Sequence, residues 1–318
     1  MELVCDLEKL PPPASGSVVT IGNFDGVHLA HQQLLKRVAE RAGARGAKAI
    51  AVTFDPHPIR VLAPDRAPAA LTSISERASL LERLGIDILV VLHFTREVAH
   101  LSPEAFVRQA LVERLHVAGV CAGPNFRFGY RQAGDAALLA ELGRAEGFSV
   151  EILPALSVRG QMVSSTRIRQ LLSEGKVHLA GRLLGRPFAN CGPVASGRGI
   201  GRREAVPTLN LAPIEEQLPK TGVYVTRTRL GGESRPSVTN VGFSPTFGEH
   251  DLTVETHLLN FAGTVDAKEI AVEYLHRLRD EVKFHNPAML RLQIQEDVQR
   301  SLKFFRLLEE LHRREEPV

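Results

Sequence analysis

The alternation of strand-like and helical segments in the first half of the chain limits the fold more than any other feature. An apolar, β-branched run at Ser17–Ile21 is followed by an amphipathic stretch over 29–42, and the cycle then repeats. Successive parallel strands need a crossover, which a helix supplies. The later segments of this series are 47–54, 74–84, 88–93, 103–115, 117–122, 136–146 and 150–153. The pattern predicts an α/β domain with a parallel sheet.

The rhythm changes after the segment LLGRPF (183–188). Short alternating runs over 222–230, 252–261 and 269–278 follow, separated by Gly, Pro, Ser and Asn. Such spacing without intervening helices predicts an antiparallel sheet or a small barrel. The pattern is helical again over 286–313, with an apolar stripe expected to pack on the barrel: Leu290, Leu292, Ile294, Val298, Leu302, Phe305 and Leu308. We predict two domains, 1–186 and 187–318.

Charge and composition exclude several classes of partner. The 39 basic and 36 acidic residues leave a formal net charge of +3, too small to favour nucleic acid or a membrane surface. The first residues lack a signal-peptide pattern, and no apolar run approaches the roughly 18 residues of a membrane span. Three widely spaced cysteines suit reduced thiols. We expect a cytoplasmic protein with small-molecule substrates.

The segment GNFDGVHLAH (22–31) joins the first strand to the first helix. Gly22 and Gly26 permit close backbone approaches, and the free N–H groups of the following helix favour an anion. His28 and His31, three residues apart, lie on one face of the first turn. The histidines also fit half of a metal site, or a pair that merely satisfies the helix end. Among these readings the corner favours phosphate.

Three further segments support an anion site at this edge of the sheet. TFDPHP (53–58) and GPNFRFG (123–129) each follow a predicted strand, and SSTRIR (164–169) opens a helix. Open parallel sheets bind ligands beyond the carboxyl ends of their strands. Hydroxyl groups at a helix start, with an arginine one turn later, suit a polyphosphate.

Together with Gly134-Asp135, these segments resemble the adenylyltransferase module of the bifunctional riboflavin kinase and FMN adenylyltransferase family, the prokaryotic FAD synthetases. The resemblance implies a Rossmann-like HxGH nucleotidyltransferase domain in which His28 and His31 stabilise ATP phosphates while the FMN phosphate attacks. It implies ATP and FMN contacts from Gly22, Phe24, Asp25, Asn125, Arg127, Ser164, Ser165, Thr166 and Arg169. One departure is Ala30, which stands where the family has the glycine of HxGH.

A second group of candidate residues lies beyond residue 187. The glycines of GPVASGRGIGRREAVPTLNL (192–211) alone are equally typical of a flexible hairpin. Thr208 and Asn210, two apart on a strand, present oxygens on the same side, which suits a hard cation bridging phosphates. Glu255, in a predicted strand, is either part of a solvated strand face or a base for an attacking hydroxyl.

The segments GRGIGR, PTLN, GVYV, NVGFSPTFG, VETHLL and RLRDEVKF resemble, in this order, the riboflavin kinase module of the same family. The resemblance implies a six-stranded Greek-key barrel with a terminal helix, Mg²⁺ (or Mn²⁺) at Thr208 and Asn210, and Glu255 as the base. Nucleotide and flavin contacts are implied for Gly197, Arg198, Gly199, Gly201, Arg202, Pro207 and Arg279. Ala205-Val206 and Asp266-Ala267 depart from the usual family residues.

The resemblance covers most of the chain and implies two reactions, riboflavin to FMN and FMN to FAD, each using ATP. Two alternatives stay open. In the first, the chain keeps the fold but has lost one of the two activities, through Ala30 or through the departures in the barrel. In the second, the chain is a non-catalytic flavin- or RNA-binding regulator. A homo-oligomer and transfer of FMN or FAD to apoflavoproteins are further expectations.

Overall fold

The structure, a computed structural model of the 318-residue chain, describes residues 1–195, 208–243, 252–261, 265, 267–282, 284 and 286–315. Contacts divide the chain into two compact units, Met1–Ser165 and Thr166–Val318. Within the described ranges, no helix is both long and apolar enough to cross a membrane.

A parallel sheet forms the centre of the first unit. Its strands are β1 (Glu2–Val4), β2 (Ser17–Ile21), β3 (Lys48–Phe54), β4 (Ile88–Leu92), β5 (Val117–Ala122) and β6 (Ser149–Ile152). Their order is β1-β4-β3-β2-β5-β6, and every neighbouring pair is parallel. The chain leaves β2 toward β3 on one side and returns to β5 on the other. The carboxyl ends of β2 and β5 therefore flank the switch point where such sheets bind ligands.

Helices connect these strands, and two apolar clusters of buried residues line the sheet. The helices are α1 (Leu29–Gly43), α2 (Pro58–Leu62), α3 (Ile74–Glu82), α4 (Arg96–Ala99), α5 (Pro103–Phe106) and α6 (Ala136–Glu146). A two-stranded hairpin, β7 (Ser157–Val158) with β8 (Gln161–Met162), follows β6.

One predicted helix differs from its structure. A single α-helix was expected over 103–115, but Val107–Arg114 winds as a π-helix, and Leu115 N–H bonds to the carbonyl of Ala110, five residues back. The apolar spacing still buries Val107 and Leu111, which is why the sequence pattern did not separate the two windings.

A closed antiparallel barrel forms the second unit. Its strands are β9 (Phe188–Ala195), β10 (Thr208–Leu211), β11 (Gly222–Leu230), β12 (Glu233–Phe243), β13 (Leu252–Leu258) and β14 (Glu269–Arg279). The order around the barrel is β10-β13-β12-β11-β14-β9. With the parallel sheet of the first unit, this confirms the predicted fold class.

Among the described residues, the helices beside the barrel are α7 (Ser165–Ser173), α8 (Val177–Leu184) and α9 (Pro287–Glu315). The segment that leads into β11 lies close to α7, since Lys220 N–H donates to the carbonyl of Leu172 at 2.9 Å. The sequence places the change of pattern between 186 and 187, C-terminal to α7 and α8. That domain boundary stays a prediction.

Alternation along the strands separates the inside of the barrel from its outer face. Thr226, Thr228, Ser237, Thr239 and Thr256 are fully buried and bonded to one another at 2.7–3.2 Å. Such groups are stable inside a protein because each hydroxyl has a partner.

The terminal helix α9 packs against apolar residues that include Val225 and Leu259. Of the predicted stripe, Val298, Leu302, Phe305 and Leu308 belong to this cluster. Ile294, which is partly exposed, is not in the cluster, and neither are Leu290 and Leu292, which are 42% and 60% exposed. The expectation that Leu290 and Leu292 pack on the barrel was wrong, because the first turns of α9 present them to solvent.

Candidate functional site

The two predicted histidines meet at the start of α1. His28 is the N-cap of this helix, and its Nδ1 atom accepts the backbone N–H of His31 at 3.3 Å. The rings stack with centroids 3.6 Å apart and planes 15° from parallel. With Nδ1 accepting, a neutral His28 carries its proton on Nε2, which makes Nε2 a donor. The pair is therefore assembled at the carboxyl end of β2, as predicted.

The environment of His31 keeps its ring neutral. Burial lowers the pKa of His31 well below its usual value, and the neighbouring His28 and Arg77 lower that pKa further. The Nδ1 atom of His31 is inaccessible and finds no hydrogen-bond partner among the residues that the structure describes. A polyphosphate placed beside the ring would oppose these effects, because negative charge favours the protonated form.

The turn before α1 has an unusual backbone. Phe24, Gly26 and Val27 have φ angles of 47°, 80° and 40°. Positive φ is strained for Phe24 and more so for the β-branched Val27. At Gly22 an added Cβ would lie 3.2 Å from the Phe24 ring, which is a close approach that glycine permits. The turn is thus shaped by several unfavourable conformations that its surroundings must enforce.

Asp25 provides part of that support. It is 2% exposed, and its Oδ1 atom accepts the N–H groups of Leu71 at 2.8 Å and Thr72 at 3.2 Å. Gly26 N–H donates to Thr72 Oγ1 at 3.0 Å, and Arg77 Nη2 lies 3.5 Å from Asp25 Oδ1. These contacts tie the turn to the loop before α3. Direct binding of a nucleotide by Asp25 stays a prediction.

Sequence reasoning missed Arg77 and Thr72. Arg77 lies on the buried side of α3 with Leu81, four residues later. A charged residue at an apolar position of a helix is unusual unless it has a partner. The place of Arg77 on the apolar face of α3 was therefore the sequence signal that could have identified it.

The loop after β5 closes on itself. Phe128 and Gly134 exchange two backbone hydrogen bonds, and Asp135 caps α6 by accepting the N–H of Leu138 at 2.9 Å. Arg127 and Asn125 are exposed, and Arg127 Nη1 lies 3.4 Å from Asp135 Oδ2. Backbone hydrogen bonds, chiefly from Leu138, lower the pKa of Asp135. The loop therefore holds its polar side chains beyond the end of β5.

The start of α7 contacts the histidine turn within the first unit, since Ser165 Oγ donates to the carbonyl of Asp25 at 2.9 Å. Roles for Ser164, Ser165, Thr166 and Arg169 in phosphate binding stay predictions. After β3, His57 caps the short helix α2 by accepting the N–H of Ile59 at 3.2 Å, and Asp55 is exposed.

In the second unit, three polar residues stand in a row across neighbouring strands. Glu255 on β13 lies opposite Asn210 on β10 and opposite Asn240 on β12. Residues directly opposite share a face of the sheet. Their neighbours Val254 and Thr256 face the buried side, so the row lies on the outer face of the barrel. Asn240 was not predicted, because an asparagine inside a strand carries no motif of its own.

Burial raises the pKa of Glu255, and the carboxylate of Glu281 raises that pKa further. Glu281 lies over Gly242, where an added Cβ would clash with its carboxylate. Both effects favour proton uptake by Glu255, which a base for a hydroxyl group requires.

The donors on β10 fit a hard cation. Thr208 and Asn210 share a face, and the buried Oδ1 atom of Asn210 has no hydrogen-bond partner in the part of the chain that the structure describes. Mg²⁺ takes few protein oxygens and leaves its other positions to water and phosphate. Across all residues that the structure describes, no group of three or more His, Cys, Asp or Glu side chains is placed to hold a metal ion.

Arg279 is engaged inside the protein. Its Nε atom donates to Asp297 Oδ1 at 3.1 Å and its Nη2 atom donates to Asp297 Oδ2 at 2.8 Å, and Asp297, on α9, is 2% exposed. This bidentate pair joins the end of β14 to the terminal helix, so the structure gives Arg279 a partner other than substrate. The predicted contacts Gly197, Arg198, Gly199, Gly201, Arg202 and Pro207 lie outside the described residues, as do Ala205, Val206 and Asp266.

Comparisons with known proteins cover both units. The family model for FAD synthetase matches residues 10–167, and that for riboflavin kinase matches residues 184–305. A bifunctional riboflavin kinase/FMN adenylyltransferase of Pseudomonas fluorescens is 38% identical, over 94% of this chain and 96% of that protein. The protein so named from Haemophilus influenzae is 33% identical over 96% and 99%.

A solved structure described as a macrolide-efflux protein from Streptococcus pneumoniae has a similar fold. It superposes with a TM-score of 0.84 at 28% identity, over 93% of this chain and 97% of that one.

Proposed function

Because the chain belongs to the family of bifunctional riboflavin kinase/FMN adenylyltransferases, we propose that its two domains catalyse successive ATP-dependent reactions. The family membership confirms the resemblance seen in the sequence motifs. In the barrel, riboflavin and ATP give FMN and ADP. In the α/β domain, FMN and ATP give FAD and pyrophosphate.

The observation that carries the adenylyltransferase assignment is the stacked histidine pair at the start of α1. A phosphate oxygen of FMN attacks the α-phosphorus of ATP, and the bond from that phosphorus to the β-phosphate oxygen breaks. Negative charge accumulates on the pyrophosphate that leaves. His28 donates from Nε2, and negative phosphate charge beside His31 opposes the burial that lowers the pKa of that ring. The first-turn N–H groups of α1 add to this stabilisation.

The carboxylate of Glu255 carries the kinase assignment. It accepts the proton of the ribityl 5′-hydroxyl as that oxygen attacks the γ-phosphorus of ATP and ADP leaves. Its raised proton affinity suits this role, and Asn210 and Asn240 flank it in the row across three strands. Thr208 and Asn210 are the residues that would hold Mg²⁺, with Mn²⁺ as the alternative. When bound, such an ion would neutralise charge on the triphosphate.

The test is a time course with the purified full-length chain, riboflavin and MgATP, in which chromatography separates riboflavin, FMN and FAD. We expect FMN to rise first and FAD to follow, with pyrophosphate released in step with FAD. A parallel reaction starting from FMN isolates the second step. Absence of FAD in both reactions would refute the adenylyltransferase assignment, and riboflavin left unchanged would refute the kinase assignment.

We also propose a cytoplasmic location, assembly into a homo-oligomer and delivery of FMN or FAD to apoflavoproteins. Light scattering of the purified chain tests the assembly. Transfer is tested by reconstituting an apoflavodoxin in the presence of the enzyme and of a dialysis membrane that separates the two.

A further inference from the structure

A buried arginine beneath the histidine turn lies outside every motif that the sequence suggested. Arg77 is 6% exposed, and its Nη2 atom lies 3.5 Å from Asp25 Oδ1. The same Nη2 donates to the carbonyl of Thr72 at 3.2 Å, and Nη1 donates to Thr53 Oγ1 at 3.3 Å. One guanidinium group therefore joins α3 to the end of β3, to the loop before α3 and to the turn.

The turn depends on this kind of support because its strained φ angles persist only where neighbouring groups enforce them. Thr72 holds Gly26 through its Oγ1 atom and Asp25 through its backbone N–H. Thr53 Oγ1 donates in turn to the carbonyl of Asn23 at 3.1 Å. Arg77 contacts Thr72, Thr53 and Asp25, so it fixes both anchors of the turn at once.

We propose that Arg77 is a positioning residue for adenylyl transfer, which fixes through Asp25 and Thr72 the turn that sets His28 and His31 against the substrate phosphates. The proposal rests on the adenylyltransferase function proposed above for this turn. Arg77 acts through the histidines and does not touch the substrate. Its positive charge also reaches His31, since it contributes to the lowered pKa of that ring.

Arg41 offers a matched control within the same unit. Its Nη1 atom pairs with Glu151 Oε2 at 2.9 Å and its Nη2 atom donates to Ser149 Oγ at 2.7 Å, with 15% of its side chain exposed. It lies on α1, near the helix end opposite to the histidines. Arg41→Met therefore removes an internal arginine pair without disturbing the turn.

The experiment measures FAD formation from FMN and MgATP by the full-length chain. Arg77→Met is expected to lower kcat about 10²-fold, because a displacement near 1 Å costs that much, while riboflavin phosphorylation by the same chain is unchanged. Arg41→Met lowers Tm but keeps kcat for FAD formation within about twofold of wild type. Arg77→Lys restores part of the lost kcat. Equal losses of kcat in Arg77→Met and Arg41→Met would overturn the proposal.

A double-mutant cycle separates positioning from general stability. If Arg77 acts through the histidines, Arg77→Met made in a His31→Ala background should lower kcat by less than about threefold further. Additive losses would overturn the positioning role, and unchanged FAD formation in His31→Ala alone would exclude His31 from the reaction and overturn it too. The proposed function itself would be refuted only if the wild-type chain formed no FAD from FMN and MgATP. If Arg77→Met does not fold, Thr72→Val removes the acceptor of Gly26 N–H, and the same cycle applies.

Discussion

The two candidate sites are built in opposite ways. The histidine turn is irregular backbone at the end of a parallel strand, with positive φ at Phe24 and Val27 and buried groups beneath it. The row around Glu255 lies on regular antiparallel strands, where pairing alone sets the spacing of its members. A site on a strained turn depends on residues that hold the turn, whereas a site on a barrel face depends on strand register. The two sites should therefore respond differently to mutation.

The largest effect should come from removing the base of the barrel. Glu255→Gln keeps the shape of the side chain but cannot accept a proton, so riboflavin phosphorylation should fall on the order of 10²- to 10⁴-fold. Initial rates of FMN formation measure this loss, and FAD formation from added FMN is the internal control. Unchanged phosphorylation would remove Glu255 from the mechanism.

The next largest effect should be a loss of FAD formation on substitution of His31, with the kinase activity of the barrel unchanged. His31→Ala removes one preorganised donor to developing phosphate charge, so FAD formation should fall about 10²- to 10³-fold. Riboflavin phosphorylation and the circular dichroism spectrum should match those of the wild type. Wild-type FAD formation in this variant would exclude His31 from the reaction.

Stability of the barrel unit should depend on the Arg279–Asp297 pair more than on exposed pairs. Arg279→Met leaves the buried Asp297 without its charge partner, which costs about 3 kcal/mol or more in such settings. Urea denaturation followed by fluorescence or circular dichroism measures this loss. Arg229→Met, whose pair with Glu273 is more exposed, is the control, because exposed pairs contribute about 0–1 kcal/mol. Equal losses would show that the pair does not anchor α9.

Acid should destabilise the α/β unit through His31. Its pKa is lower in the folded chain than in the unfolded chain, so the unfolded chain binds a proton first as pH falls below the usual histidine value. The free energy of unfolding should therefore be unaffected by His31 above the usual histidine pKa, and it should decrease as pH falls below that pKa. Urea titrations from pH 7.5 to pH 5.5 should show a shallower decline for His31→Asn than for the wild type. His93→Asn, an exposed position, should keep the wild-type slope.

The smallest effect should come from the departure at Ala30. Ala30→Gly introduces the family residue into the first turn of α1 but lowers helix propensity, which should cost up to about 1 kcal/mol of stability. FAD formation should change by less than about tenfold, since the methyl group is small. A larger gain in kcat/KM for ATP would show that Ala30 crowds the nucleotide.

The sequence predicted those features that depend on local pattern. The strand Ser17–Ile21 and the helix that follows it have the expected positions, because a short β-branched run gives way there to an amphipathic stretch of helical period. His28 and His31 came together because residues three apart share a helix face. The edge strand β1 was missed, since three residues give no periodicity.

Other features depend on tertiary contacts, and the partners in these contacts left no local signal. The partner of Arg279 is Asp297, eighteen residues later on another element. The roles of Thr72 and Arg77 follow from a loop and a helix that meet the histidine turn only in the folded chain. A search for charged residues at apolar helix positions would have found Arg77, but not the group that it contacts.

The hydroxyl pairs inside the barrel share their strand register with the candidate base on its outer face. Thr239 lies opposite Thr256 in the interior, and the next pair along the same two strands is Asn240 with Glu255 on the exterior. If β13 shifted by one residue along β12, Thr256 would turn outward and Glu255 would enter the interior of the barrel. The carboxylate would have no charge partner there. The register that pairs these hydroxyl groups therefore also places Glu255 on the outer face. A substitution that changed this register could leave a folded barrel without its candidate base.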